Sequence, residues 1–403
     1  VASPNLATSR LPPIPLMGTV YLVYSQGGAM LLITVPQLLA ARHMPEPTIA
    51  SLTALGLLGG TLAFLLSPML DVRFSRRNYA VAMAGLAALL YVAALTQLDN
   101  PPLLGLCLFC AANAIGLYQA AVSGWLTSLI PSAQESRLAA WFNVANIGGF
   151  GVFAFTNITL MRLLPAPFGA MALGGLMLLP LLIFPALPAP GPDRRLARES
   201  FAQFFAHVVR MLRAPSVLRL LLILALPAAC FAMTNTLGGL GHVYGASEAF
   251  VGLVAGIGVS VAGVIGSLAV PPLAARLSPF RLYLAVGLCG ALTTLGMIAL
   301  PLSPASFAIA LVASNIFQAA AFATAFTLIM GEIGKGNPLA ATEFSVLLAA
   351  MQVPLVYMQW LDGNAFGLGG APLMLAVDGG MGIAGCAGIA LLLRWRVQAR
   401  AVL

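Results

Sequence analysis

Residues 48–98 read TIASLTALGLLGGTLAFLLSPMLDVRFSRRNYAVAMAGLAALLYVAALTQL. Two apolar runs, 48–70 and 78–98, flank one short charged loop. Each run has the ~20 residues that a helix needs to cross a bilayer. The apolar residues are continuous and do not alternate, which predicts helices and not barrel strands, and lipid permits only those two solutions because every backbone polar group must be satisfied internally.

The same reading extends outward in both directions. Of the 403 residues, 60% are hydrophobic and only 7% are charged, where a soluble domain is about one quarter charged. Runs alternating with polar punctuation predict twelve spans: 15–40, 48–70, 78–98, 102–130, 138–162, 168–188, 216–237, 247–271, 280–301, 305–330, 340–362 and 371–393. The expected fold class is therefore all-α, a polytopic membrane protein with two six-helix bundles. The first span is too long for a signal-peptide apolar region, so no cleaved targeting segment is expected.

The net charge of +8 suggests nucleic acid until its distribution is followed. With the N-terminus cytoplasmic, 17 of the 19 Lys and Arg residues fall on the cytoplasmic side, leaving Arg42 and Arg162 outside. The positive-inside rule then sets both termini in the cytoplasm, and the charge reports topology. The expected location is a bacterial inner membrane, with no nucleic-acid partner.

The one long polar connection, 189–215, separates an N-terminal bundle, 1–188, from a C-terminal bundle, 216–403. Within it Phe201, Phe204, Phe205, Val208, Val209 and Leu212 lie at helical spacing opposite Arg198, His207 and Arg210. That pattern predicts either an amphipathic helix on the inner leaflet or a solvated helical linker. The halves also repeat faintly: Ser67-Pro68 through Arg76-Arg77 has a counterpart in Pro271-Pro272 through Arg281, and 138–142 opens one span much as 339–344 opens another. Internal repeats mark two-bundle transporters, and the short loops leave no room for an ATPase.

The five cysteines, Cys107, Cys110, Cys230, Cys289 and Cys386, fall inside predicted spans, which argues for packing and against a disulfide framework. The Cys107–Cys110 pair lacks a second ligand pair, so no metal is expected. Residues 380–385 match GxGxxG by letters but follow no strand, so dinucleotide binding is dismissed. No His, Asp and Ser cluster suggests catalysis; neither an enzymatic activity nor a cofactor is expected.

The stretch Ser67-Pro68-Met69-Leu70-Asp71-Val72-Arg73 with Arg76-Arg77 resembles the loop between the second and third helices of the major facilitator superfamily. That resemblance implies a gate latch of Asp71, Arg73, Arg76 and Arg77. The chemistry is sound on its own terms, since a carboxylate beside guanidinium groups makes and breaks charge-assisted bonds as a bundle moves.

More narrowly, 64–71, 122–131, 231–233 and 341–348 resemble the AmpG-like permease branch, with its muropeptide, acetyl-coenzyme A, and pyochelin- and rhizobactin-type siderophore permeases. The departures are informative. Charged positions of the muropeptide permeases fall here at Ala63, Gln119, Ser123, Leu226, Ala229 and Ser314. Buried charges in a membrane are costly and mark function, so their joint loss implies another ligand. Siderophore import leads, with muropeptide import or drug-like efflux as alternatives.

The superfamily resemblance implies a cavity lined by the first, fourth, seventh and tenth helices. Its candidate residues are Tyr21, Tyr24, Gln26, Asn113, Tyr118, Gln119, Asn235, Asn315 and Gln318. Each amide has an equally available role as an interhelical hydrogen bond worth about 1 kcal/mol. Trp125, Trp141 and Trp360 lie nearer predicted helix ends, where interface anchoring is expected. The embedded acids read as Glu343 and Asp378, with Glu248 near an outer end. Asp378 and Glu343 are the candidates for proton coupling, because an acid removed from water is poised between charged and neutral forms. The expected partners are a small bulky solute, protons and lipid, and the expected state is a monomer.

Overall fold

The computed structural model describes residues 11–72, 74–188, 201–334 and 337–401. Every regular element among them is a helix, and ten helices are long and apolar enough to cross a membrane. The first six spans are Ile14–Ala40, Ser51–Asp71, Arg76–Thr96, Pro101–Leu129, Ser132–Leu163 and Pro167–Ala186. The eighth to tenth are Phe250–Ala274, Pro279–Ala299 and Pro304–Ile333. The run Ala340–Leu393 leaves helical geometry at Gly369 and Gly370, which makes it the eleventh and twelfth spans.

The remaining crossing corrects the sequence reading. A continuous seventh span over 216–237 is expected, but the helix Pro215–Ala225 stops, Leu226 is extended, and a short 3₁₀ turn, Pro227–Ala229, intervenes before helix resumes at Met233–Leu237. Pro227 accounts for the stop, because its ring disfavours the helical conformation at the preceding residue. Phe231, with φ of +50°, then turns the chain through a left-handed conformation that few bulky residues adopt.

Span starts follow local chemistry. Ser75, Asn100, Ser247 and Ser303 each accept a backbone N–H of the first helical turn, and prolines follow directly at Pro101 and Pro304. These are N-cap and N1 preferences, in which the side chain satisfies an orphan donor and proline loses nothing. Among the described residues, three spans contain a widened π turn: Met30–Thr34, Val144–Gly148 and Val254–Gly258.

The chain divides into two compact units. One comprises Val1–Pro131, Phe153–Phe205 and Lys335–Thr342; the other comprises Ser132–Val152, Ala206–Gly334 and Glu343–Leu403. In the first, the fourth span is the central packing element, burying Tyr118, Val122, Trp125 and Leu126 completely. In the second, the tenth span has this role, with Phe307, Ala319, Ile329 and Met330 buried. Large apolar side chains face outward elsewhere, among them Phe155, Leu182, Val356 and Leu368, the arrangement that a lipid solvent favours.

Trp125 departs from its expected interfacial role. It is fully buried, its Nε1 donates to the Pro188 carbonyl at 3.0 Å, and its ring meets Phe184 edge-on at 5.1 Å. The indole N–H finds its partner inside the protein. In the linker, Phe201–Leu212 is helical, with Phe205, Val209 and Arg210 exposed; Arg194, Arg195 and Arg198 lie outside the described residues.

Asn143 ties three elements of the second unit. Its Nδ2 donates to Ser267 Oγ at 2.8 Å and to the Ala319 carbonyl at 2.9 Å. Asn143→Ala is expected to lower stability by roughly 1–2 kcal/mol, measured by denaturant unfolding of the purified protein in detergent. An unchanged midpoint would show that these bonds are idle.

Candidate functional site

Three constellations stand out. The first is built on Asp71 at the end of the second span. Asp71 is 1% exposed and is paired with Arg76, whose Nη2 lies 2.8 Å from Oδ1 and whose Nε donates at 2.9 Å. The same carboxylate accepts the Ala341 N–H at 3.2 Å, the Thr342 N–H at 2.8 Å and the Thr342 hydroxyl at 2.7 Å. Arg76 also donates to the carbonyls of Asn337 and Pro338. Asp71 thus caps the eleventh span, accepting from N–H groups that have no partner within their own helix and carry its positive dipole end.

The approach is close because Gly124 has no side chain: a Cβ there would lie 2.9 Å from the Ala341 nitrogen. Gly124→Ala is therefore expected to displace the start of the eleventh span and cost about 1–3 kcal/mol. Unfolding of the variant in detergent checks this. A wild-type midpoint would refute it. Of the other expected latch residues, Arg77 has no ion pair among the described residues, and Arg73 lies outside them.

The second constellation is polar but uncharged and sits in the first unit. Tyr21 and Ser123 share a short hydroxyl bond, with Gln119 also in hydrogen-bonding reach of Tyr21 and the Tyr24 ring 6.2 Å away. A neighbouring chain runs from Gln26 Nε2 to Asn157 Oδ1, and from Asn157 Nδ2 to Thr34 Oγ1, each at 3.0 Å. Gln26 is fully buried, yet its Oε1 has no partner. Sequence reasoning missed Asn157 and Thr34; Asn157 occurs late in the fifth span, which the resemblance does not place on the cavity.

Other expected cavity residues are engaged locally. Tyr118 donates to the Val20 carbonyl, Asn113 to Gly59, and Asn315 to Leu311 on its own helix. Gln318 reaches the Phe231 carbonyl at 3.4 Å. The side chain of Asn235 lies outside the described residues.

The third constellation surrounds the break in the seventh span, within the second unit. Tyr357 donates to the Ala225 carbonyl, the Cys386 thiol to Ala228, and Gln318 to Phe231, so side chains replace the missing helical bonds. Asp378 lines a small cavity there with Pro227, Cys230, Phe231 and Met358. Asp362, which sequence reasoning placed at the end of a span and passed over, is fully buried in the middle of the helical run. Glu343 is buried in the first turn of the eleventh span and has a partner of its own. A separate crevice of about 720 Å³ is lined by Glu135, Arg137, Phe280, Thr327 and Glu332.

Solved structures share this fold at low identity. A proton:xylose symporter bound to 6-bromo-6-deoxy-D-glucose matches with a TM-score of 0.69 and 15% identity, over 95% of this chain and 94% of that one. A human organic anion transporter matches with 0.69 and 18%, over 94% and 100%. A bacterial homologue of the iron transporter ferroportin matches with 0.69 and 14%, over 94% and 99%. No curated protein matches the chain. The family model for the Major Facilitator Superfamily matches residues 17–341; with its helical spans and its capped second-to-third loop, the chain belongs to that superfamily, a family of transporters and not of enzymes.

Proposed function

We propose that this transporter imports a bulky solute across a bacterial inner membrane by alternating access, driven by protons, and that the solute is an iron-loaded siderophore. The observation that carries the substrate class is the uncharged constellation of Tyr21, Tyr24, Gln26, Gln119, Ser123 and Asn157. Rings and amides suit a partly aromatic ligand rich in hydroxyl and amide groups, since aromatic faces stack and amides supply directional bonds. The Gln26 oxygen without a partner supplies an acceptor for such a ligand. Fold likeness to sugar, anion and iron carriers does not choose among substrates; the uncharged constellation and the missing muropeptide-type charges support this reading.

The moving parts in this reading are the bundles 1–188 and 216–403, joined by 189–215, with both termini cytoplasmic. Asp71 and Arg76 act as the latch. The boundary between the compact units falls just after Thr342, so the bonds from Asp71 hold the last residues assigned to the first unit. Releasing them frees the start of the eleventh span.

Uptake into cells expressing the protein tests the reading, with radioiron-loaded pyochelin compared against labelled anhydromuropeptide, each with and without an uncoupler. The expected result is iron accumulation that collapses with the uncoupler. Muropeptide accumulation, or iron accumulation indifferent to the uncoupler, would overturn it.

A further inference from the structure

Two buried acids lie near the break in the seventh span, and neither has an ion-pair partner among the described residues. Asp362 is 0% exposed and neither of its carboxylate oxygens has a hydrogen-bond partner. Asp378 is 7% exposed and meets Pro227, Ala228 and Cys230 across the small cavity. Both lie within electrostatic reach of Cys230, and Asp378 within reach of Asp362. The other titratable groups packed around the break are Tyr283 on the ninth span, Tyr357 on the eleventh and Cys386 on the twelfth. None of these ever bears a positive charge, and the ion pairs among the described residues involve neither acid.

Two carboxylates without counter-charge are untenable in such a place, because each buried ion costs several kcal/mol and like charges repel. With no positive side chain paired to them among the described residues, a bound ion is the available source of neutralising charge. The cavity at Asp378 is only about 10 Å³, the size of one water at most. Among the described residues no three His, Cys, Asp or Glu groups cluster as a metal site. A proton fits where a hydrated metal ion does not.

We infer that Asp362 and Asp378 form a coupled carboxyl pair that carries the transport proton at the seventh-span break, with Asp362 as its primary acceptor. The inference rests on the proton-driven reading above and names the residues that perform it. A proton arrives from water on one side, binds a carboxylate oxygen, and leaves to water on the other side; no electrons move. Because Asp378 faces Pro227 and Ala228, the charge of the pair bears directly on the backbone that is broken.

Two measurements on purified protein separate this inference from the transport reading. Infrared difference spectra across a pH titration report the carbonyl stretch of a protonated carboxyl without any solute. The band is expected in wild type, absent in Asp362→Asn, and displaced in Asp378→Asn; a band unchanged in Asp362→Asn, or one that responds to sodium and not to pH, overturns the inference. In proteoliposomes with iron-loaded pyochelin, one proton per solute drives about tenfold accumulation per pH unit. Asp362→Asn is expected to lose that accumulation while retaining solute counterflow, and Asp362→Glu to restore part of it. If wild type moves no solute the transport reading fails, and the infrared titration still decides the pair.

Discussion

Replacing Asp71 with alanine lowers stability by about 3–5 kcal/mol, the expected cost of removing one partner of a buried ion pair. The loss has three parts. Arg76, with its side chain 13% exposed, keeps a charge whose counter-ion is gone. The N–H groups of Ala341 and Thr342 lose their acceptor, and so does the Thr342 hydroxyl. Asp71→Asn keeps the shape and one acceptor oxygen but gives up the charge, so it is expected to fall between, at about 1–3 kcal/mol. Denaturant unfolding of both variants in detergent measures the difference. A loss below about 1 kcal/mol for the alanine variant would place this pair with exposed ion pairs, and the latch would no longer have an energetic basis.

Gly287→Ala is expected to have the second large effect. A Cβ at this position would lie 2.0 Å from the Ala228 carbonyl oxygen and 3.0 Å from Cys386 Sγ. The oxygen belongs to the 3₁₀ turn that interrupts the seventh span, so the ninth span and the turn cannot both keep their places. Overpacking of this kind costs about 1–3 kcal/mol, and loss of solute uptake should accompany it because the break itself moves. Gly380→Ala is the control: a Cβ there meets nothing within 4 Å, and alanine is the better helix former by about 1 kcal/mol. Equal uptake by the two variants would show that the geometry of the break is not needed for transport.

Most of the fold was legible because a membrane span leaves a coarse signature. Twenty apolar residues read the same whatever they pack against, so the first six spans and the eighth to tenth lie close to the expected bounds. Features that depend on a tertiary partner were not legible. Arg76 could be matched to Asp71 from five residues away, but Ala341 and Thr342, some 270 residues on, carry no local mark of that pairing. Pro227 in the sequence allows a kink, yet a proline cannot tell how far the helix stays unwound; that depends on Tyr357, Cys386 and Gln318 supplying substitute bonds. Asp362 was missed for a simpler reason. The expected eleventh span ends at 362, so the acid reads as a terminal residue facing water, whereas the helix continues to the kink at Gly369 and Gly370. Trp125 differs the other way: its place near a span end suggests lipid headgroups, whereas the Phe184 ring and the Pro188 carbonyl at the end of the sixth span meet it instead.

Phe231 gives the break a near-level energy balance. A bulky residue at φ of +50° carries a backbone penalty of roughly 1–2 kcal/mol. Against this, its ring stacks on Phe317 at 6.1 Å and 21°, a pairing worth about 0.5–1.5 kcal/mol. The two terms nearly cancel, so the aromatic pair works as a catch set against a bent spring. Without the ring pairing, the bend would carry its full backbone penalty.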